Sequence, residues 1–323
     1  MPSFSCSVEG SIPPGIRLDR YAAEYLKILS RSQIKARRLQ ARLNGRDVKI
    51  SRLIRGGDHL ELSWNEAEAE FLVPEHIPLD VLYEDARVIV VNKAQGMVVH
   101  PGAGNRQGTL ANALLYRRLE SSRAGGFASD GAPPALPHTS GQRPGIVHRL
   151  DKDTSGVMIA AWDDAAHAFL AGQFKDRKVR KSYAALVQGC PRELSGSINK
   201  RIVRSRRNRK NFTVSDTEGR ASLTHYKVIR SWADYSLLLL RPKTGRTHQI
   251  RVHLKYLGNP ILGDPIYGQG GGRFKNASLM LHAKSLSLVL PASGKLASFR
   301  TPLPARFRVI MRALNNARPN YAQ

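Results

Sequence analysis

The sequence predicts an α+β protein with a long, mainly antiparallel sheet in a large domain, preceded by a small α/β domain at the N-terminus. Three observations carry that reading. From residue 79 onward, short β-rich runs alternate with turn signals and few helical patterns intervene. Residues 18–62 instead run helix, helix, strand and strand. Between the two lies a polar stretch at 65–70 followed by Pro74 and Pro78, the composition of a linker. The expected limits are 12–73 for the first domain, 74–312 for the second and 313–323 for a flexible tail.

In the first domain, Leu18, Tyr21, Ala22, Tyr25, Leu26 and Leu29 recur at helical spacing and form one apolar stripe. Ser30 with Gln33 has the pattern of a capping box. A second helix is expected after it, with Ile34, Leu39 and Leu43 on the buried side and Lys35, Arg37, Arg38 and Arg42 on the other. Asn44-Gly45 then turns the chain into a strand through Val48 and Ile50, and Gly56-Gly57 turns it again into 59–62. In the second domain, strands are expected at 81–83, 87–91, 156–162, 182–188, 222–229, 236–240 and 285–290. Helices are expected at 109–119, on Leu110, Leu114 and Leu115, and at 164–174, on Ala166, Phe169, Leu170 and Phe174. Residues 120–143, rich in Ser, Gly, Ala and Pro, read as a surface insertion and 315–323 as a frayed end.

Charge narrows the partners. The chain has 323 residues, with 51 Lys plus Arg against 25 Asp plus Glu, a net charge of +26. Such an excess points to a polyanion. It is concentrated twice: 11–62 carries twelve basic residues and five acids, and 200–212 carries seven basic residues and no acid. Two RNA contact regions are expected, the second including Arg206, Arg207 and Arg209. A membrane partner is not expected, because no apolar run approaches the roughly 18 residues of a span and neither a basic amphipathic helix nor a lipidation signal is present. A cytoplasmic location follows as the expectation. Cys6 and Cys190 stand far apart and read as small hydrophobes, which excludes a disulfide framework.

The chemistry centres on residues 145–156, GIVHRLDKDTSG: an apolar entry, a His-Arg pair, Asp151 and polar turn residues before an apolar strand. A turn at a strand entrance exposes a side chain while holding it rigid. Asp151 and Asp153 are too close in one turn to flank a glycosidic bond as paired carboxylates do. His248 and His253 have a spacing that fits no zinc signature, so structural or RNA-contacting roles are expected and no metal.

This segment resembles the central motif of the RluA-type pseudouridine synthases. KSYAALV at 181–187, the run from 241 to 268 containing GRTHQIR, and LMLHAKSL at 279–286 match in order, so the resemblance spans about residues 12 to 311. The helix, basic helix, turn and strand order near the N-terminus resembles the S-four-type RNA-binding module. The resemblance implies a pseudouridine synthase catalytic domain that breaks the glycosidic bond of uridine, turns the uracil, and rejoins it through carbon 5 with no cofactor and no metal.

It implies roles as well. Asp151 is the carboxylate acting on the ribose, either attacking the anomeric carbon or removing the 2′ proton. Arg246 pairs with Asp151, and Tyr183 stacks on the uracil and takes part in removing the carbon 5 proton. Leu281 forms an apolar wall behind the base. Arg149 fills the gap left by the flipped uridine, while His148 supports the turn. Large-subunit ribosomal RNA is favoured as substrate, with transfer RNA the alternative, and a monomer is expected. Two other readings stand beside these: a catalytically idle RNA-binding or ribosome assembly factor, and a hydrolase that would release free uracil.

Overall fold

The computed structural model describes residues 1–13, 15–66, 72–102, 104–123, 145–206, 208, 211–268 and 273–316. The chain divides into two compact units, Met1–Phe71 and Leu72–Gln323.

The first unit contains β1 (Ser3–Ser7), β2 (Ile16–Arg17), α1 (Leu18–Glu24), α2 (Arg31–Ala36), β3 (Gln40–Leu43), β4 (Arg46–Val48), β5 (Leu53–Ile54) and β6 (His59–Ser63). Its sheet runs β1-β6-β3-β4, antiparallel throughout. The Asn44-Gly45 turn joins β3 to β4 with φ of 51° and 77°, the left-handed pair a two-residue hairpin favours. Ser30 caps α2 with Gln33 in the expected box. Leu18, Tyr21, Ala22, Leu29, Ile34 and Leu39 pack with Leu60 and Leu62 in one core.

Both helices stop short of their apolar stripes. Lys27 takes φ 53° and Arg38 φ 50°, left-handed values that no α-helix continues through. Leu29 and Leu39 therefore reach the core from turns, Tyr25 is exposed, and Leu43 belongs to a strand. Strand β1 precedes residue 12 and has no counterpart among the expected strands, because its SFSCS sequence has no run of large apolar side chains.

The second unit contains β7 (Val81–Glu84), β8 (Val88–Lys93), α3 (Leu110–Arg123), β9 (Ser155–Ala161), α4 (Asp164–Lys175), β10 (Arg180–Gln188), β11 (Ser195–Asn199), β12 (Arg201–Arg204), β13 (Phe212–Ser215), β14 (Leu223–Ser231), β15 (Tyr235–Pro242), α5 (Gln249–Tyr256), β16 (Leu281–Val289), β17 (Leu296–Arg300) and α6 (Ala305–Asn316). One nine-stranded sheet runs β11-β14-β15-β10-β16-β9-β8-β7, with β17 added to β16. Its pairings are antiparallel except β9 with β16. This is the long, mainly antiparallel sheet of an α+β protein.

Every residue of β9 is buried. Met158 and Ala160 face a core with Leu110 and Leu114 of α3, whereas Val157, Ile159 and Ala161 face one with Ala166 and Leu170 of α4. A strand covered on both faces cannot slip register without breaking both cores, so it is a rigid base for the loop that enters it. Phe169, expected on the packed side of α4, is exposed. Helix α6 runs to Asn316, so residues 313–316 are helical rather than tail; Phe307, Ile310 and Leu314 at i, i+3 and i+7 dock it on the sheet. Most of the expected insertion, from residue 124, and the end of the expected tail, from 317, lie outside the described residues.

Candidate active site

The GIVHRLDKDTSG segment is the loop that leads into β9. Its two glycines at the ends are required by close backbone approach. A Cβ on Gly145 (φ 60°) would lie 1.8 Å from the Ala161 carbonyl oxygen, and one on Gly156 (φ 121°) 2.2 Å from that of Ala283. Between them, the Thr154 N–H donates to the Asp151 carbonyl at 3.1 Å and closes the turn. Lys93, fully buried at the end of β8, donates from Nζ to the carbonyls of Ala94, Met97 and Lys152. Burial pushes this amine down to about 8, against the charges of Asp153 and Asp151. The backbone after Asp151 is thus tied to the neighbouring strand.

Asp151 lines a cleft of about 520 Å³, a size suited to one nucleoside. Among the described residues that line it, Asp151 is the single acid, facing seven Lys and Arg side chains. Tyr183 on β10 and Leu281 on β16 lie on neighbouring strands and both enter the cleft. Tyr183 is half-buried; burial, and then the charge of Asp151, push its hydroxyl well above the usual phenol range. It therefore stands as a neutral phenol. Exposed Arg149 lines the mouth, beside buried Leu150.

The arginine against Asp151 is not Arg246. Arg251 Nη1 donates to Asp151 Oδ2 at 3.1 Å, while its Nε and Nη2 make a two-pronged contact to Asp264 at 2.8 Å each. Arg251 is 5% exposed and Asp264 0%. Burial opposes the charge on both groups, but their hydrogen bonds and mutual attraction overcome it, raising Arg251 and holding Asp264 below the usual carboxylate range. Arg246 lines the same cleft one turn earlier, before α5 begins, and its Nε donates to the Ala221 carbonyl at 3.3 Å. The reason is helical geometry. Arg251 lies inside α5 and is aimed inward with Leu254, whereas Arg246 sits in the loop that Gln249 holds by accepting its backbone N–H at 3.0 Å.

His148 does support the turn: its Nε2 accepts the Ile159 N–H at 3.1 Å and its ring stacks on Phe174 at 4.5 Å. Burial, with Lys181 adding, pushes it down to about 3 and keeps it neutral. His253 is fully buried against Thr224 and is structural. His248 is different, because its Nε2 lies 3.9 Å from Asp151 Oδ2. Sequence reasoning missed Arg251, Asp264 and Lys93 as site residues, and gave His248 only a structural or RNA-contacting role. For Arg251 the signal was available, since it closes the same GRTHQIR segment; for Lys93 and Asp264, burial of a charge is invisible in a sequence.

None of the remaining candidates is among the described residues that line this cleft. Lys35, Arg38 and Arg42 are exposed and Arg37 half-exposed in the first unit, Arg42 bonding the Gly45 carbonyl at 3.0 Å and standing 3.5–3.6 Å from Asp47 and Glu61. Of the 200–212 run, Arg201–Arg204 form β12, which pairs with β13 from Phe212 onward, a pattern the charge of the run conceals. Acids beyond the run meet it: Glu218 pairs with Arg206 at 2.8 Å and Asp216 with Lys200. Arg207 and Arg209 lie outside the described residues.

Known proteins resemble this chain in sequence and in fold. The family described as RNA pseudouridylate synthase matches residues 87–256, which include Asp151, Tyr183 and Arg251. The chain is 40% identical over 302 residues to ribosomal large subunit pseudouridine synthase D of Borreliella burgdorferi, covering 92% of this chain and 89% of the relative. It is 35% identical to the protein of that name in Haemophilus influenzae, with 97% and 96% covered. The solved structure of human RNA Pseudouridylate Synthase Domain Containing 1 aligns with a TM-score of 0.55 and 28% identity, covering 75% of this chain and 97% of that one. With a match over more than half its length and relatives covered almost end to end, this chain belongs to the RNA pseudouridylate synthase family, of the RluA type, and is a pseudouridine synthase.

Proposed function

We propose that this enzyme isomerises specific uridines of large-subunit ribosomal RNA, with Asp151 acting on the ribose. The observation that carries the reading is a carboxylate, the single one among the described residues of a basic, nucleoside-sized cleft, held by a buried arginine and facing a tyrosine. The contact from Arg251 fixes the orientation of Asp151 Oδ2, while Asp264 stops the guanidinium from turning away.

The reaction needs the N1–C1′ bond of uridine to break, the uracil to turn, and a C5–C1′ bond to form, after which C5 loses a proton and N1 gains one. Asp151 supplies the carboxylate for the first step, either bonding to C1′ or taking the 2′ proton. Tyr183 stacks on the uracil while Leu281 walls its other side. As a neutral phenol, Tyr183 helps remove the C5 proton only by passing on its own. Arg149 fills the stack vacated by the flipped uridine. Arg246, freed of the carboxylate, joins the basic rim that receives backbone phosphates. The first unit serves as the S-four-type RNA-binding module, using Lys35, Arg37, Arg38 and Arg42, and the β12–β13 hairpin with Arg206 gives a second RNA contact. The enzyme works as a cytoplasmic monomer.

Support for ribosomal RNA comes from the relatives' names and from the two separate basic regions. The test offers purified protein unmodified large-subunit RNA and unmodified transfer RNAs side by side, with pseudouridine mapped in each. Pseudouridine is expected in the ribosomal RNA. Its appearance in transfer RNA alone overturns the substrate, release of free uracil overturns the isomerisation, and no product on either RNA favours an idle assembly factor.

A further inference from the structure

His248 is the N-cap of α5 and takes φ 55° and ψ 18°, a left-handed conformation that residues other than glycine rarely adopt. The chain holds it there by specific contacts. The Phe212 N–H donates to the Tyr267 hydroxyl oxygen at 2.9 Å, and that hydroxyl lies 2.9 Å from His248 Nδ1. In one of the two tautomers this contact allows, the hydroxyl gives its own proton to Nδ1. The hydrogen of the neutral imidazole is then on Nε2. The Tyr267 ring is buried, with Arg251 stacked over it at 5.1 Å, so it cannot swing away. Burial lowers His248 from its ordinary value, with Asp151 and Asp264 opposing and Arg251 and Arg149 assisting, which keeps the ring neutral.

Its Nε2 faces Asp151 Oδ2 across 3.9 Å, too far for a hydrogen bond between them. A hydroxyl oxygen about 2.8 Å from each would accept from Nε2–H and donate to the carboxylate. A carboxylate placed to act at C1′ or C2′ of a nucleoside has the ribose 2′-hydroxyl beside it. We propose that His248 is a specificity-determining residue that reads the 2′-hydroxyl of the target uridine, jointly with Asp151, in the tautomer set by Tyr267. The proposal rests on the reaction assigned above, and gives the enzyme a local means of telling a ribonucleotide from a deoxyribonucleotide.

The experiment is a cycle between enzyme and substrate. Wild type and His248→Ala are each given the same RNA with uridine or a single 2′-deoxyuridine at the mapped target, read as kcat/KM and as affinity by competition. His248→Ala should cost about tenfold to a hundredfold on the ribonucleotide and within about twofold of nothing on the deoxynucleotide, because the group it served is already absent. Equal losses on both substrates overturn the proposal. His248→Asn, which tolerates the left-handed backbone, is the second variant should the alanine variant fail to fold, and the same non-additivity is expected of it. Tyr267→Phe should reduce the coupling and mix the Nδ1–H and Nε2–H imidazole signals in ¹⁵N NMR; unchanged signals and coupling overturn the tautomer relay. Absence of pseudouridine in any RNA with wild type defeats the parent reading and this one with it, whereas product without coupling defeats this one alone.

Discussion

Arg251 and Arg42 carry the same side chain in opposite settings. In the cleft, Arg251 is 5% exposed and contacts two carboxylates at 2.8–3.1 Å. In the first unit, Arg42 is 54% exposed and stands 3.5–3.6 Å from two acids. Coulomb attraction in water at such separations is worth about 1 kcal/mol and is screened by salt, whereas a desolvated pair is costly to break. Position therefore divides the positive charge of this chain into two kinds: buried charge that holds a carboxylate in the cleft, and exposed charge held loosely at the surface. Substitutions in each region should fail differently.

Asp151→Asn gives the largest effect expected. The amide keeps the shape but can neither attack carbon nor take a proton, so turnover should drop by about 10⁴-fold or more. RNA affinity should stay within a few-fold. Nucleoside analysis of product beside a binding titration checks both, and substantial turnover would remove Asp151 from the chemistry.

Arg251→Leu should come next. It leaves Asp264 buried without its partner, costing about 3–5 kcal/mol in denaturant unfolding, and frees Asp151 to turn, costing about a hundredfold in kcat. Arg251→Lys keeps the charge but loses the fork, so it should fall between the two. Because Asp264 is held below its usual 3.8, its contribution is present above that value and is lost as pH falls through the depressed one. The leucine variant should therefore lose part of the wild type's stability gain between strongly acid and neutral pH.

Buried histidines act earlier in the same descent. His282, bonded to Ser155 at 2.9 Å and Thr301 at 2.7 Å, is pushed down to about 4 by burial and by Arg306 and Lys284; His148 is pushed down to about 3. Both ordinarily titrate at 6.5. The unfolded chain thus binds protons first, so stability is full above pH 6.5 and falls toward pH 4 and then 3, by on the order of a few kcal/mol. Melting temperature measured from pH 7 to 4 should decline, and His282→Gln should flatten the decline from its lower starting point. A flat wild-type curve would mean these rings are charged in the folded state.

Arg246→Ala separates the two kinds of arginine within one cleft. Since Arg251 holds the carboxylate, loss of Arg246 should raise KM for RNA by roughly threefold to tenfold and leave kcat within about twofold. A kcat loss as large as that of Arg251→Leu would return Arg246 to the role the motif alone assigned it.

That misassignment marks what a sequence conveys. Short β-rich runs at 81–83, 156–162 and 182–188, set between turn signals, located strands, and Asp151 was legible because the turn that carries it resembles the central motif of the RluA-type synthases. Choosing between Arg246 and Arg251 required knowing that α5 starts at Gln249, which its charged QIRVHLKY sequence does not announce. The β12–β13 hairpin was hidden by seven basic residues, since charge masks the period of two. Lys93 and Asp264 depend on partners far along the chain, Lys152 and Arg251, and no local pattern encodes a buried charge.

The smallest effects per residue should come from the first unit, where they sharpen the comparison most. Lys35, Arg38 and Arg42 are exposed and Arg37 half-exposed, and the acids beside Arg42 hold it loosely, so each is available to a phosphate with little disturbance to the fold. Each alanine substitution should weaken RNA binding a few-fold at moderate salt. For every phosphate that is no longer neutralised, the slope of log affinity against log salt should fall by about 0.7–0.9. The fourfold variant should therefore approach wild type as salt rises, because counterions then displace the same side chains from the RNA in the parent enzyme. Its kcat at saturating RNA should match wild type, since none of these groups is among the described residues lining the cleft. Titrations at several salt concentrations with single-turnover rates decide it: an unchanged slope would show that these side chains meet no phosphate, and a lowered kcat would show that the first unit does more than collect the RNA.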